Sequence, residues 1–234
     1  PGFEQVLLSA DFSGIELVLI GDASGDPAFE RAYGQLPHGD LHAGTAADLL
    51  GVPEEDFKTH FGKQAKQVRN EVGKPANFEY WYSGALSKTA KAQGWSSDKM
   101  WEATERYRNR YPVGEQWRQT IIQRAREYGF VTLPDGHTRI RFESTYVWAN
   151  TMRDKFASYG HPAVIQFGEL VIKKIQSRSG NQAVNSMIQG TCATLTKRAV
   201  LSQNGKIKEK GYNSTLKFTV HDEIVFSTQV NQLW

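Results

Sequence analysis

The chain has 234 residues, 39% hydrophobic and 23% charged, which suits one large or two modest folded domains and excludes a disordered tail. Lysine plus arginine exceed the acids by 28 − 25 = 3, too small an excess to argue nucleic-acid binding without local patches. One cysteine, Cys192, excludes an intrachain disulfide and a cysteine-cluster zinc site and points to a reducing compartment; no run of ~18 apolar residues predicts a membrane span. The first residues show no basic stretch leading into a short apolar block, so no secretory signal is expected. Pro1 at one end and Val230 to Trp234 at the other read as the ends of a fragment of a longer polypeptide or assembly.

Gln5 to Phe12 (QVLLSADF) is a short apolar run that predicts a buried strand. Ile15 to Ile20 begins a helix or a second apolar run, and Asp22 to Pro27 is turn chemistry. From Pro27 to about Arg126 helical patterns dominate, punctuated at Gly39-Asp40, Gly51 to Pro53, Gly94 to Asp98 and Pro112, with Asp98 expected as an N-cap. Gly129 to Phe142 predicts β structure around the turn Pro134-Asp135-Gly136. Ala163 to Ile175 and Asn181 to Val200 predict two helices, and Leu216 to Thr228 two strands around a tight turn. The expected class is α+β: a small antiparallel sheet built from the two ends of the chain, with a mostly helical insertion between them.

Asp11 closes the first strand, Glu16 follows five residues on, and Asp222-Glu223 is expected at the tip of the last hairpin. Carboxylates at strand ends suit magnesium, which prefers oxygen ligands. Two such ions ~3.5–4 Å apart clamp the attacking and leaving oxygens of a phosphoryl transfer. Each acid alone reads as a turn residue or a cap, but two adjacent carboxylates repel unless a cation or basic group is near. Lys66, Asn70, Lys74, Phe78 and Tyr82 are spaced four apart and form one helical ridge. A lysine above aromatics can hold a triphosphate while the rings cover a base or sugar; the same spacing also describes an amphipathic helix with a solvated lysine. Pro75 predicts a kink in that run. Cys192 reads as a small buried apolar side chain, His60, His137 and His161 as surface or loop residues, and Trp95, Trp101, Trp117 and Trp148 as core or interface anchors.

Taken in order, these segments resemble one family. LLSADFSGIEL resembles motif A of the family A DNA polymerases, the group of bacterial DNA polymerase I and its phage relatives; KPANFEYWYSG is similar to their motif B and VHDEIVF to motif C. SGDPAFERAYGQLPHGDLHAGTAADLLGV, GFVTLPDGHTRIRF and NSMIQGTCATLTKRAV agree, so the resemblance covers nearly the whole chain. It implies a polymerase palm from residues 1–21 and 163–234, a fingers portion from 22–162 with the motif B helix at about 63–82, and no thumb or exonuclease. It implies a DNA-directed DNA polymerase that moves deoxynucleotides onto a primer 3′-hydroxyl by a two-metal mechanism, as a fragment or subunit of a larger polymerase. The implied cofactors are two Mg2+ ions, with Mn2+ as a substitute. The implied partners are primer–template DNA, deoxynucleoside triphosphates and a second chain or missing segment supplying thumb and exonuclease. The implied location is the cytoplasm of a bacterium or phage-infected cell.

By the same resemblance, Asp11, Asp222 and the carbonyl of Phe12 are metal ligands, with Glu223 supporting them. Glu16 lies under the incoming sugar, His42 touches phosphate, and Lys74 contacts the triphosphate and protonates the leaving pyrophosphate. Phe78 packs beside the sugar and Tyr82 near the templating position. Asn185 and Gln189 read the minor-groove side of the primer–template, and His221 approaches the primer end. Several family arginines are missing from their places. Asn70 stands four residues before Lys74, with Arg69 one place, about 100°, off; Val18 follows Glu16-Leu17; Ser83 separates Tyr82 from Gly84; and Asn181 stands eight before Gln189, with Arg178 nearby. The competing readings are a catalytically weak or inactive DNA-binding subunit of polymerase shape and a two-metal nuclease.

Overall fold

The structure is a computed structural model that describes residues 4–230. Pro1 and residues 231–234, on which the fragment expectation rests, lie outside the described residues. In chain order, β1 (Gln5–Asp11) leads into α1 (Ile15–Ser24), α2 (Pro27–Tyr33), α3 (Leu41–Leu50), α4 (Phe57–Phe61), α5 (Ala65–Val68), a π-helical turn (Arg69–Gly73), α6 (Lys74–Ser83), α7 (Ser87–Ala92), α8 (Ser97–Arg110) and α9 (Pro112–Tyr128). The hairpin β2 (Phe130–Thr132) and β3 (Arg139–Arg141), the helices α10 (Glu143–Ser158) and α11 (Pro162–Glu209), and the hairpin β4 (Thr215–Val220) and β5 (Glu223–Gln229) follow. The described residues are α+β, mostly helical with two small antiparallel sheets, and the chain divides into two compact units, residues 1–19 with 188–234 and residues 20–187.

In the first unit the sheet order is β1-β5-β4. The central strand β5 buries Ile224 and Val225 on successive positions because both of its faces are covered. β1 is exposed along its length apart from half-buried Val6, with Leu7 at 67%, where the apolar run predicted a buried strand. Leu216 pairs with Phe226 and Phe218 with Val225, which leaves Lys217 as a bulge.

The two helices expected between 163 and 200 are one helix of 48 residues, α11. Glycine at 180 does not break it. A Cβ there would lie 2.9 Å from the Cγ2 of Ile122 on α9, so the residue allows close packing of the two helices. Despite its length, neither α11 nor any other helix among the described residues is long and apolar enough to cross a membrane.

The second unit is built around stacked aromatics. Tyr80 and Tyr107 are 4.4 Å apart, Tyr107 and Tyr111 4.8 Å, and Phe29 and Tyr111 5.0 Å. Trp81 is buried, whereas Trp101 and Trp148 are about half exposed. The N-cap of α8 is Ser96, whose hydroxyl accepts from the Lys99 amide; Asp98 sits inside the first turn, where its charge favours the helix dipole.

Asp26 is buried and caps two helices at once. Its carboxylate accepts from the amide of Ala28 in α2 at 2.9 Å and from those of Val113 and Gly114 in α9 at 3.0 and 2.9 Å. Replacing it with alanine strands three amides, so Asp26→Ala is expected to cost about 3 kcal/mol, read from urea unfolding. A loss under about 1 kcal/mol would show the double cap to be dispensable.

Candidate active site

The antiparallel register of β1 and β5 sets Asp11 opposite Glu223. The turn before β5 is His221-Asp222, so Asp222 adjoins the cross-strand neighbour of Asp11 and Glu223 is the first strand residue. Directly paired residues sit about 4.5–5.5 Å apart. His221 carries the turn at φ 55°, a left-handed conformation that histidine visits more readily than most side chains. Phe12 follows the last residue of β1. Glu223 accepts a hydrogen bond from the Ser9 hydroxyl, and Glu16 stands in the first turn of α1. Cys192 is half-buried, and its thiol is pushed up to about 12 by burial and then by the carboxylates of Glu16 and Asp222. The cysteine is therefore half-buried within electrostatic reach of Glu16 and Asp222, where a buried apolar side chain was expected.

The donors fit a hard divalent ion, since Asp11, Asp222 and the Phe12 carbonyl offer only oxygens. Among the described residues no three His, Cys, Asp or Glu side chains form a closed metal cage. Two carboxylates completed by water and substrate phosphates are the arrangement magnesium commonly accepts. His221 also lines a groove of about 630 Å³ with Ala193, Lys197 and Phe218.

In the second unit the motif B run is not one helix. A 3-10 turn at Gly62–Gln64, α5, the π turn and α6 follow one another. Pro75 sits in the first turn of α6, where proline is tolerated, and the irregularity falls just before it. At Gly73 a Cβ would overlap the carbonyl oxygen of His42, so the glycine lets this run lie against the first turn of α3. The π turn also accommodates one extra residue. It therefore offsets the 100° displacement of Arg69 relative to Lys74.

Arg69 and Lys74 both act electrostatically on His42. Its pKa is lowered to about 4, first by burial and then by Arg69, with Lys74 adding to the fall and Asp40 opposing it. Asp40 caps α3 through the Ala43 amide and holds the Arg69 Nε at 2.7 Å. The His42 Nδ1 lies 3.0 Å from the Asn77 Nδ2, and the Phe78 ring is 5.9 Å from the imidazole. The structure thus brings His42, Arg69, Lys74 and Phe78 together. A histidine held neutral this way stabilises the fold fully above the ordinary imidazole value near 6.5. Stability is expected to fall as pH drops from there to about 4 and then to level off. Urea titrations of wild type and His42→Gln check this, and parallel curves for the two would remove His42 as the cause.

Tyr82 and Asn185 line one cavity of about 350 Å³ with Lys174, Ser177, Arg178, Asn181 and Gln182. The Asn185 Oδ1 is buried and lacks a hydrogen-bond partner among the described residues. Asn181 is committed elsewhere: its Oδ1 accepts from the Arg118 guanidinium at 2.6 Å and its Nδ2 donates to the Ser83 carbonyl at 3.0 Å. The cations on that face of α11 are Arg178 and Lys174, one and two turns earlier. Gln189 lies four residues beyond Asn185 on the same helix. Sequence reasoning missed Asn77, Asp40 and Arg118. Asn77 stands inside the quoted KPANFEYWYSG, but nothing in its spacing marks it as a fully buried amide.

A family model described as DNA polymerase family A matches residues 1–233. DNA polymerase I of Bacillus caldotenax is 24% identical over 230 residues, covering 98% of this chain and 22% of that protein. DNA polymerase I of Lactococcus lactis subsp. lactis is 26% identical over 235 residues, covering 100% of this chain and 23% of that protein. The chain thus spans less than a quarter of the length of these relatives. Among solved structures, the POL domain of Pol1 from M. smegmatis, in complex with DNA primer-template and dNTP, superposes with a TM-score of 0.74 at 21% identity, over 99% of this chain and 35% of that one.

Proposed function

Because the chain belongs to DNA polymerase family A, we propose that it carries the nucleotidyl-transfer site of a DNA-directed DNA polymerase. The observation that carries this reading is the β1–β5 register, which sets Asp11 beside the Asp222-Glu223 pair. In this reading residues 1–21 and 163–234 are palm and 22–162 are fingers. Primer–template DNA and deoxynucleoside triphosphates are the partners.

The proposed reaction forms a bond between the primer 3′-oxygen and the α-phosphorus and breaks the bond from that phosphorus to pyrophosphate. Asp11, Asp222 and the Phe12 carbonyl would hold the divalent ions, Mg2+ with Mn2+ as a substitute. When bound, such ions neutralise phosphate charge and acidify the primer hydroxyl. Glu223, fixed by Ser9, keeps a further negative charge beside the ligands. Lys74 and Arg69 are assigned to the triphosphate, with Lys74 giving a proton to the departing pyrophosphate. His42 donates to a phosphate oxygen, Phe78 packs on the sugar, and Glu16 excludes a ribose 2′-hydroxyl. Tyr82 stacks at the templating position, Asn185 and Gln189 meet the minor-groove edge, and His221 lies near the primer end.

A primer-extension gel with and without Mg2+ tests the reading. Magnesium-dependent extension is expected, and degradation of labelled DNA without extension would identify a nuclease instead. Lys174 and Arg178 are assigned to backbone phosphates beside Asn185. Replacing both with alanine is expected to make the dependence of log affinity on log salt shallower by about 2, since each neutralised phosphate contributes ~0.9. An unchanged slope would remove them from the DNA interface.

A further inference from the structure

We propose that Asn77 is a positioning residue that holds His42 as the neutral tautomer with its proton on Nε2, so that the imidazole offers phosphate one hydrogen-bond donor. This inference rests on the reading that His42 meets the nucleotide, and it follows from the direction of a buried hydrogen-bond chain. Arg110 Nε lies 3.2 Å from the Tyr111 hydroxyl, and a guanidinium only donates. The Tyr111 proton is thereby turned to the Thr45 hydroxyl, 2.8 Å away, and the Thr45 proton to the Asn77 Oδ1 at 3.2 Å. The Tyr107 hydroxyl donates to the same Oδ1 at 2.7 Å. With its oxygen accepting twice, Asn77 presents its amide N–H to His42 Nδ1 at 3.0 Å. Nδ1 must then accept, and the ring proton belongs on Nε2.

The chain begins at an ion pair, Arg110 with Glu54 at 2.7 Å. Asn77 is fully buried, so water does not compete for its amide. The charged groups facing His42 are Arg69 from the π turn, Lys74 from α6 and Asp40 at the start of α3. Both cations oppose a third positive charge at His42, in the same sense as the amide donor. The result is a division of labour, with lysine and arginine supplying charge and histidine supplying a directed N–H.

The test is nitrogen NMR of the intact chain labelled at histidine. It has six histidines, and His42→Gln identifies the resonance. The Nε2–H neutral pattern is expected for His42 at pH 7. Asn77→Asp replaces the donor by an acceptor, so the proton moves to Nδ1 and the titration midpoint rises by two units or more. In that variant the KM for nucleotide is expected to vary with pH across about 6 to 8, where the wild type stays flat. An Nδ1–H pattern in the wild type overturns the inference, and so does an Asn77→Asp midpoint equal to the wild-type value. Should Asn77→Asp fail to fold, the wild-type spectrum decides alone. Absence of primer extension by the wild type would overturn the polymerase reading and leave the ring spectrum as a separate result.

Discussion

Asp222→Ala is expected to lower nucleotide incorporation by roughly a thousandfold or more while the protein stays folded. The residue lies in a two-residue turn and takes part in no ladder pair of the β4–β5 hairpin. Its carboxylate stands close enough to Cys192 to raise that thiol, alongside Glu16. Removing it relieves repulsion among neighbouring acids, so the urea midpoint should move by no more than about 0.5 kcal/mol equivalent. Asp222→Asn keeps the shape and the turn and removes only the charge. It should be nearly as inactive as the alanine variant, because a neutral amide oxygen binds a divalent ion far less well than a carboxylate. Single-turnover incorporation beside an unfolding curve measures both halves. Near-normal incorporation by the asparagine variant would mean that Asp222 holds no ion and that the cluster at the end of β1 and β5 serves another purpose.

The parts legible in the sequence were those governed by local chemistry. The β4–β5 hairpin followed from an apolar run on either side of a short acidic stretch, and the β2–β3 hairpin from Pro134-Asp135-Gly136. There Asp135 accepts from the Thr138 hydroxyl and from the amides of Thr138 and His137, which hold its carboxyl down at about 2. Burial of β1 was misjudged because an apolar run does not reveal whether another element covers the faces of the strand. The break expected near residue 180 was misjudged because glycine lowers helix propensity by only ~1 kcal/mol, less than packing against Ile122 can supply. In the candidate site, the carboxylates and the lysine–aromatic ridge could be named from spacing and resemblance. The π turn could not. It depends on Gly73 meeting the backbone of His42, a contact between segments about thirty residues apart. The same holds for Asn77 and Asn181, whose partners lie on other helices.

Lys74→Ala and Lys74→Arg are expected to separate two roles of one side chain. Lys74 begins α6 immediately after the π turn, and its charge reaches His42. A lysine bound to triphosphate contributes through charge, and as an acid it contributes through a proton it can release. Arginine keeps the charge and does not release a proton near neutral pH. Lys74→Ala should therefore raise the nucleotide KM about tenfold or more and lower kcat about a hundredfold, the sizes usual for a lost charge-assisted contact and a lost general acid. Lys74→Arg should keep KM within about threefold of wild type and still lose about a hundredfold in kcat. If Lys74→Arg recovers full kcat, the proton must come from elsewhere and Lys74 acts by charge alone. If Lys74→Ala leaves KM unchanged across a nucleotide titration, the ridge of Lys74, Phe78 and Tyr82 does not bind nucleotide. Arg69 would then stay where the structure holds it, paired with Asp40 at the start of α3.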